Sequence, residues 1–189
     1  MKTALVTALL TVAGGESYLP LPEGGRWTYA VEEQSADAAQ SLSVVVTEVS
    51  GTKAIGDADW VEVKSFLGYS TAYVRVTGEK VELRLDSSET APILTLLQLP
   101  PREGDQWKGT LGREEVTFTA GAPERVEVGD RMAKAVRVHF TVANEARHSG
   151  HAPTHGDLWF EAGTGIVRAQ LTQDLDCHSG TTTVYRLKR

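Results

Sequence analysis

The residues best suited to chemistry in this sequence are histidines gathered in one stretch, Arg147-His148-Ser149-Gly150-His151-Ala152-Pro153-Thr154-His155. Neutral imidazole ligates zinc and copper, so His148, His151 and His155 are the candidate metal ligands. His139 precedes them on a run of strand character, and Cys177-His178 follows them in a turn. The spacing works against a preformed site. A His-x-x-x-His pair shares one face on a helix, and Gly150 and Pro153 break any helix between these positions. The plainer reading is a polar connection between two strands. Cys177 is the single cysteine, which excludes an internal disulfide and reads as a plain thiol in a turn.

Other chemistry lacks its signatures. The chain has no Gly-x-Ser-x-Gly elbow, no His-Glu-x-x-His, no Walker loop and no Cys-x-x-Cys. Ser149 adjoins His148, but adjacent side chains of an extended segment point apart. Glu32-Glu33, Asp57, Asp59 and Glu114-Glu115 sit in polar or strand-edge contexts, and nothing in the sequence sets two of them across a cleft. No catalytic residue and no cofactor is expected. The net charge is −6 and the basic residues are scattered. A phosphate backbone needs a basic stripe to meet it, so nucleic acid is not an expected partner. No apolar run approaches the ~20 residues that span a bilayer, and no transmembrane segment is expected.

The elements that must position these residues read as strands. Val74-Arg75-Val76 and Val81-Glu82-Leu83-Arg84-Leu85 alternate at period two around Gly78-Glu79-Lys80, which predicts a hairpin with Arg75 and Glu82 or Arg84 facing water. Residues 41–49 and 60–66 are rich in β-formers. Val136, Val138, Phe140 and Val142 share one face of a long strand. Leu158-Trp159-Phe160 and residues 166–171 flank Ala162-Gly163-Thr164-Gly165 as a second hairpin, and residues 181–187 form a last strand. Trp27, Trp60, Trp107 and Trp159 fall at or near strand starts and are expected in the core. The fold class is mainly β: an antiparallel curved sheet, as a half-barrel, barrel or sandwich.

One short helix is expected near residues 90–98. Ser88 or Thr90 caps it, Pro92 fits its first turn, and Pro100-Pro101 stops it. Ile93, Leu94, Leu96 and Leu97 nearly surround it with apolar bulk, so it must pack into the concave side of the sheet. It acts there either as a plug or as a lid over an apolar ligand, and these four residues are the candidate ligand contacts.

An internal echo organises the chain. Leu19-Pro-Leu-Pro-Glu23-Gly24-Gly-Arg-Trp27 recurs as Leu99-Pro-Pro-Arg-Glu103-Gly104-Asp-Gln-Trp107, at an offset of 80 residues. Proline stiffens the approach, glycine permits the turn, and tryptophan opens a strand. Two β segments, about 16–88 and 99–189, are therefore expected within a single domain over 16–189, joined by the helix.

The span from Tyr18 to Tyr29 resembles the opening of a group of exported bacterial β-proteins that carry Y-x-P-L-x-x-G-x-x-W-x-Y. That group also has a second L-P-x-x-x-G-x-x-W, matched by Leu99 to Trp107, and a late W-F-x-x-G-x-G-x-V-R, matched by Trp159 to Arg168. These motifs are turns and strand starts, so the resemblance implies a fold and carries no chemistry. In plan the group is similar to the half-barrels of lipoprotein carriers, which implies a curved sheet with a covered mouth.

The first fifteen residues have the pattern of a signal peptide. Lys2 is the positive start, Ala4 to Val12 the apolar stretch, and Ala13 and Gly15 the small residues before a cut at Glu16. An exported protein, periplasmic or extracellular, is expected. Three functions stand. One is non-catalytic binding of an apolar small molecule or a lipidated partner. Another is a structural or interaction module that engages an envelope protein. The last is metal binding at the histidine loop.

Overall fold

Period-two patterning resolves into twelve strands in a computed structural model that describes residues 17–35, 38–112, 114–143, 154–176 and 179–188. They are β1 (Arg26–Ser35), β2 (Ala38–Ile55), β3 (Ala58–Phe66), β4 (Tyr69–Val76), β5 (Lys80–Arg84) and β6 (Leu94–Gln98). The rest are β7 (Gln106–Leu111), β8 (Glu114–Val128), β9 (Arg131–Val142), β10 (His155–Glu161), β11 (Gly165–Asp176) and β12 (Ser179–Lys188). All belong to one antiparallel sheet, in the order β6-β5-β4-β3-β2-β1-β12-β11-β10-β9-β8-β7. Each half of the chain is a meander. The halves join where β1 pairs with β12, from Thr28↔Lys188 to Ser35↔Thr181.

The sheet curls until its edge strands β6 and β7 face each other, almost closing a barrel. They meet through side chains and not through a ladder. Trp107 donates its indole N–H to the Thr95 carbonyl at 2.8 Å. Gly109 makes room on β7 for Leu94 of β6: a Cβ there would lie 2.7 Å from Leu94 Cδ1.

The sequence echo marks equivalent places in the two meanders. Trp27 and Trp107 are each the second residue of a first strand. The turns before them are alike: Gly25 N–H bonds to Pro22 O at 2.8 Å, and Asp105 N–H to Arg102 O at 3.1 Å. Gly24 (φ 69°) and Gly104 (φ 85°) hold the left-handed positions that these turns need. Trp107 is buried, while Trp27 is only half-buried.

The interior is a continuous apolar core, including Val63, Val74, Leu97, Val138 and Phe160 at full burial. The expected hairpins and strands are found, but the helix and the water-facing residue on β5 are not. Of the four tryptophans expected in the core, Trp27 is half-buried and Trp60 lies in a separate cluster.

No helix occurs among the described residues, and the stretch near 90–98 is strand β6. A register shift opposite Val81 and Glu82 turns Leu96 and Leu97 both into the core. The crowding that suggested an all-round apolar helix is thus the mark of a bulged edge strand. Ser88 does not cap a helix. Its N–H bonds to Asp86 Oδ1 and its carbonyl accepts from Ala91 N–H, closing a local turn. The two β segments consequently meet at residues 99–105, with no helix between them.

Glu82 or Arg84 is expected to face water, yet both are buried, at 2% and 8% exposure. They do lie on the convex face, but the Trp60 ring lies there too. Arg75 stands 4.7 Å and Arg84 4.9 Å from its centroid. Ile55, Ala58 and Tyr73 complete this second, external cluster.

Candidate functional site: a divided cavity at the mouth of the sheet

The site is built by the premature end of one ladder. β2 and β3 pair from Ile55↔Ala58 to Glu48↔Lys64, and no further. Thr47 Oγ1 then donates to the Ser65 carbonyl at 2.8 Å, sealing the last rung. Ser65 (φ 53°) and Leu67 (φ 48°) adopt left-handed conformations, followed by Gly68 (φ 90°). Left-handed non-glycine residues cost about 1–3 kcal/mol each and persist only where the surroundings impose them. Together they swing the β3–β4 turn off the wall of the barrel and into its mouth. Gly68 comes so close to β12 that a Cβ on it would lie 3.1 Å from the Tyr185 hydroxyl.

That turn divides the mouth into two spaces. The inner one is an apolar cavity of about 50 Å³, walled by Phe66, Leu67, Leu83, Leu94, Leu96, Leu111, Val116, Phe118, Phe140 and Leu158, with Tyr69 and Leu171. The outer one, of about 180 Å³, is polar-walled by Glu33, Gln173, Thr181, Thr183 and Tyr185 beside Leu67, Gly68, Tyr69 and Leu171. Leu67, Tyr69 and Leu171 belong to both walls. Burial raises the phenol of Tyr69 above its ordinary pKa. Burial also raises that of Tyr185, assisted by the charge of Glu33 and by the neighbouring Tyr69 phenol, which disfavours a second tyrosinate beside it. Both phenols are therefore neutral at physiological pH and can donate a hydrogen bond to a polar group in the outer space.

The sequence-predicted ligand contacts divide between these surroundings. Leu94 and Leu96 line the inner cavity. Leu97 is buried in the core without lining it, and Ile93 is 40% exposed. They reach the site from an edge strand and not from a lid helix. Phe66, Leu67, Tyr69 and Tyr185 were missed. The one signal for them was Gly68 between two β-rich runs, and a glycine marks a turn without saying which way it folds.

Of the candidate metal ligands, His148 and His151 lie outside the described residues, as do Cys177 and His178. His155 opens β10, with Nδ1 3.3 Å from Thr154 Oγ1. Among the described residues, no three His, Cys, Asp or Glu side chains are gathered to hold a metal. His139 sits on the convex face, its Nδ1 3.0 Å from Asp157, which also binds Arg137 at 2.7 Å. Beside them Trp159 lies under Arg168 at 4.7 Å and bonds to Glu124. These polar ladders tie strands together from outside.

The arrangement is a nearly closed antiparallel barrel with a two-part mouth, apolar within and polar without. No family model matches the chain, and no curated protein matches its sequence. Among solved structures the chain is similar to a Bacteroides fragilis protein described as exported and of YmcC-like fold. Identity is 14% over 90% of this chain and 98% of that one, with a TM-score of 0.44. It is similar to a Parabacteroides distasonis protein described as a lipoprotein, at 13% identity over 93% and 100% of the two chains, TM-score 0.44. A LolA superfamily protein from Nitrosomonas europaea matches at 9% identity over 93% and 90%, TM-score 0.22.

Proposed function

We propose that this chain is an exported, non-catalytic binding protein that takes an amphiphile at the mouth of its barrel. The apolar end of the ligand lies against Leu83, Leu94, Leu96 and Phe140, and its polar end among Tyr185, Thr183 and Gln173. The observation that carries this reading is the shared wall: an apolar cavity and a polar one abut at Leu67, Tyr69 and Leu171. The signal-like first fifteen residues support export.

At about 50 Å³ the inner cavity is smaller than the roughly 150 Å³ cavity that takes up a benzene molecule. Binding therefore requires the strained Ser65–Gly68 turn to swing outward, so that the two spaces become one. The left-handed residues supply part of the drive, because releasing them recovers the conformational cost that the closed turn holds.

An environment-sensitive acyl probe tests the reading. Binding at micromolar concentration is expected, competed by a fatty acid and weakened by Leu96→Trp, which fills the inner cavity. Absence of probe binding, together with no amphiphile in the mass spectrum of protein purified from its native envelope, would retire it.

A further inference from the structure

The same kink that shapes the mouth leaves part of β2 bare. Once β3 turns away at Ser65, the upper half of β2 is paired with β1 alone; among the described residues no strand meets its other edge from 40 to 47. The bare stretch belongs to Ala38-Ala-Gln-Ser-Leu42-Ser-Val44-Val-Val46-Thr47, which has no charge, no proline and no glycine. Folded proteins usually blunt a free edge with one of those devices or cover it. Here the outer face of the edge carries Leu42, Val44 and Val46, at 77%, 56% and 45% exposure.

We infer that this edge pairs with the same edge of a second copy, antiparallel, about a two-fold axis at Val44. The backbone is set for it. Val49 N–H bonds to Gly25 O across β1. Pairing alternates along an antiparallel ladder, so Ser43, Val45 and Thr47 also turn their N–H and C=O groups toward β1. Leu42, Val44 and Val46 then direct theirs to the bare side. An axis at Val44 sets Val44 against its twin and Leu42 against Val46 in both directions, each facing pair exchanging two backbone bonds. The six apolar side chains come together on one outer surface.

Charge favours a copy over a different chain. Nothing along the edge carries a charge that a foreign strand would have to complement. The charged pairs that flank it, Arg26 with Glu48 at 2.8 Å and Arg186 with Glu32 at 2.6 Å, are already satisfied internally. Self-pairing thus opposes no like charges, and an isologous contact closes at the dimer.

Sedimentation velocity with the purified protein is the test, alongside Val44→Lys. The wild type is expected to sediment as a dimer. Val44→Lys puts two ammonium groups face to face on the axis, so its dissociation constant should rise roughly tenfold or more. Its far-UV circular dichroism and urea midpoint, read at a concentration where both proteins are monomers, should stay unchanged. Val44→Cys in a Cys177→Ser background should cross-link through residue 44 on mild oxidation, because facing bonded positions lie ~5.5 Å apart. A wild type that stays monomeric at high micromolar concentration overturns the inference, including the case in which the monomer captures an added extended peptide. So does a dimer that ignores Val44→Lys and yields no cross-link.

Discussion

Trp107 holds the seam of the barrel by donating its indole N–H to the carbonyl of Thr95 at 2.8 Å, across the one pair of neighbouring strands that has no ladder. Its ring also stacks on Phe118, with centroids 5.5 Å apart and planes 4° from parallel. These roles separate by substitution. Trp107→Phe keeps an aromatic ring and leaves the Thr95 carbonyl without its donor, which should cost about 1–2 kcal/mol. Trp107→Ala removes the ring as well and should cost about 3–5 kcal/mol. Trp27 is half-buried, so Trp27→Ala should cost less than Trp107→Ala although both occupy the same motif. Urea titrations of the three variants measure this; equal losses for the two alanines would mean that the motif, and not the seam, sets the cost.

The strands were legible because each alternates over several residues. The hairpins around Gly78 and Gly163, and the paired lead-ins to Trp27 and Trp107, are local turn chemistry that a sequence carries openly. Two things were not legible. Leu94, Leu96 and Leu97 look helical because a bulge breaks period two, and a bulge is fixed by the partner strand. The inward fold of Ser65 to Gly68 depends on left-handed angles at two ordinary residues, which no composition announces. Of the four residues offered as ligand contacts, Leu94 and Leu96 line the inner cavity, and the wall opposite them left no mark in the sequence.

Glu82 provides a test of electrostatics beneath the convex face. Its carboxylate accepts from Arg75 Nε at 2.8 Å and lies 2.7 Å from Lys80 Nζ. Burial alone would push its pKa up, but the hydrogen bonds and charges of Lys80 and Arg75 outweigh that and hold it below the usual carboxylate value. A carboxyl whose folded pKa is depressed stabilises the fold above its unfolded pKa and loses that contribution as pH falls through the folded one. Glu82→Gln should therefore cost about 1–3 kcal/mol near neutrality. The gap between wild type and variant should shrink in acid, below the ordinary carboxylate range. A gap that stays constant from neutral pH through the ordinary carboxylate range and on below it would show that Glu82 is not held as an ion.

Gly156 tests how tightly the wall beside the site is drawn. A Cβ at this position would lie 2.4 Å from the Gln170 carbonyl oxygen and 2.8 Å from Phe140 Cε1. The nearest obstacle is the backbone of β11, which cannot rotate aside. Gly156→Ala should then cost at least the ~1–3 kcal/mol typical of overpacking. Gly163→Ala meets no atom within 4 Å but must hold φ 76°, so its penalty is conformational and should be the smaller. Thermal melts of both would show the order; a neutral Gly156→Ala would require β10 and β11 to stand further apart.

The histidine loop remains a proposal with a direct test. If it is a solvated connection, changing His148, His151 and His155 together to Asn should move stability by no more than about 0.5 kcal/mol. Zinc at micromolar concentration should raise the melting temperature of wild type no more than that of the triple variant. A zinc-dependent rise that the variant loses would assign the loop to metal.

Leu96 decides whether the mouth is a seat or merely a filled end. It is 4% exposed and forms part of the apolar wall from the edge strand. Leu96→Ala removes buried methyl groups and should cost about 2–5 kcal/mol, toward the upper end if the wall fails to collapse. Collapse is resisted here, because Leu94 beside it already presses against Gly109 and the opposite side is formed by large rings, Phe118 and Phe140. The deleted side chain should therefore leave its volume added to the existing cavity of about 50 Å³. An enlarged cavity with apolar walls stays dry and takes up small apolar molecules, as engineered cavities of roughly 150 Å³ do with benzene. Benzene should raise the melting temperature of Leu96→Ala and leave the wild type unmoved. An acyl probe, which needs the turn to open in both proteins, should bind the variant more tightly, since its tail gains room. A loss below about 1 kcal/mol with no response to benzene would mean that the wall closes over the gap. The inner cavity would then be a packing remnant, and the amphiphile would have no seat for its apolar end.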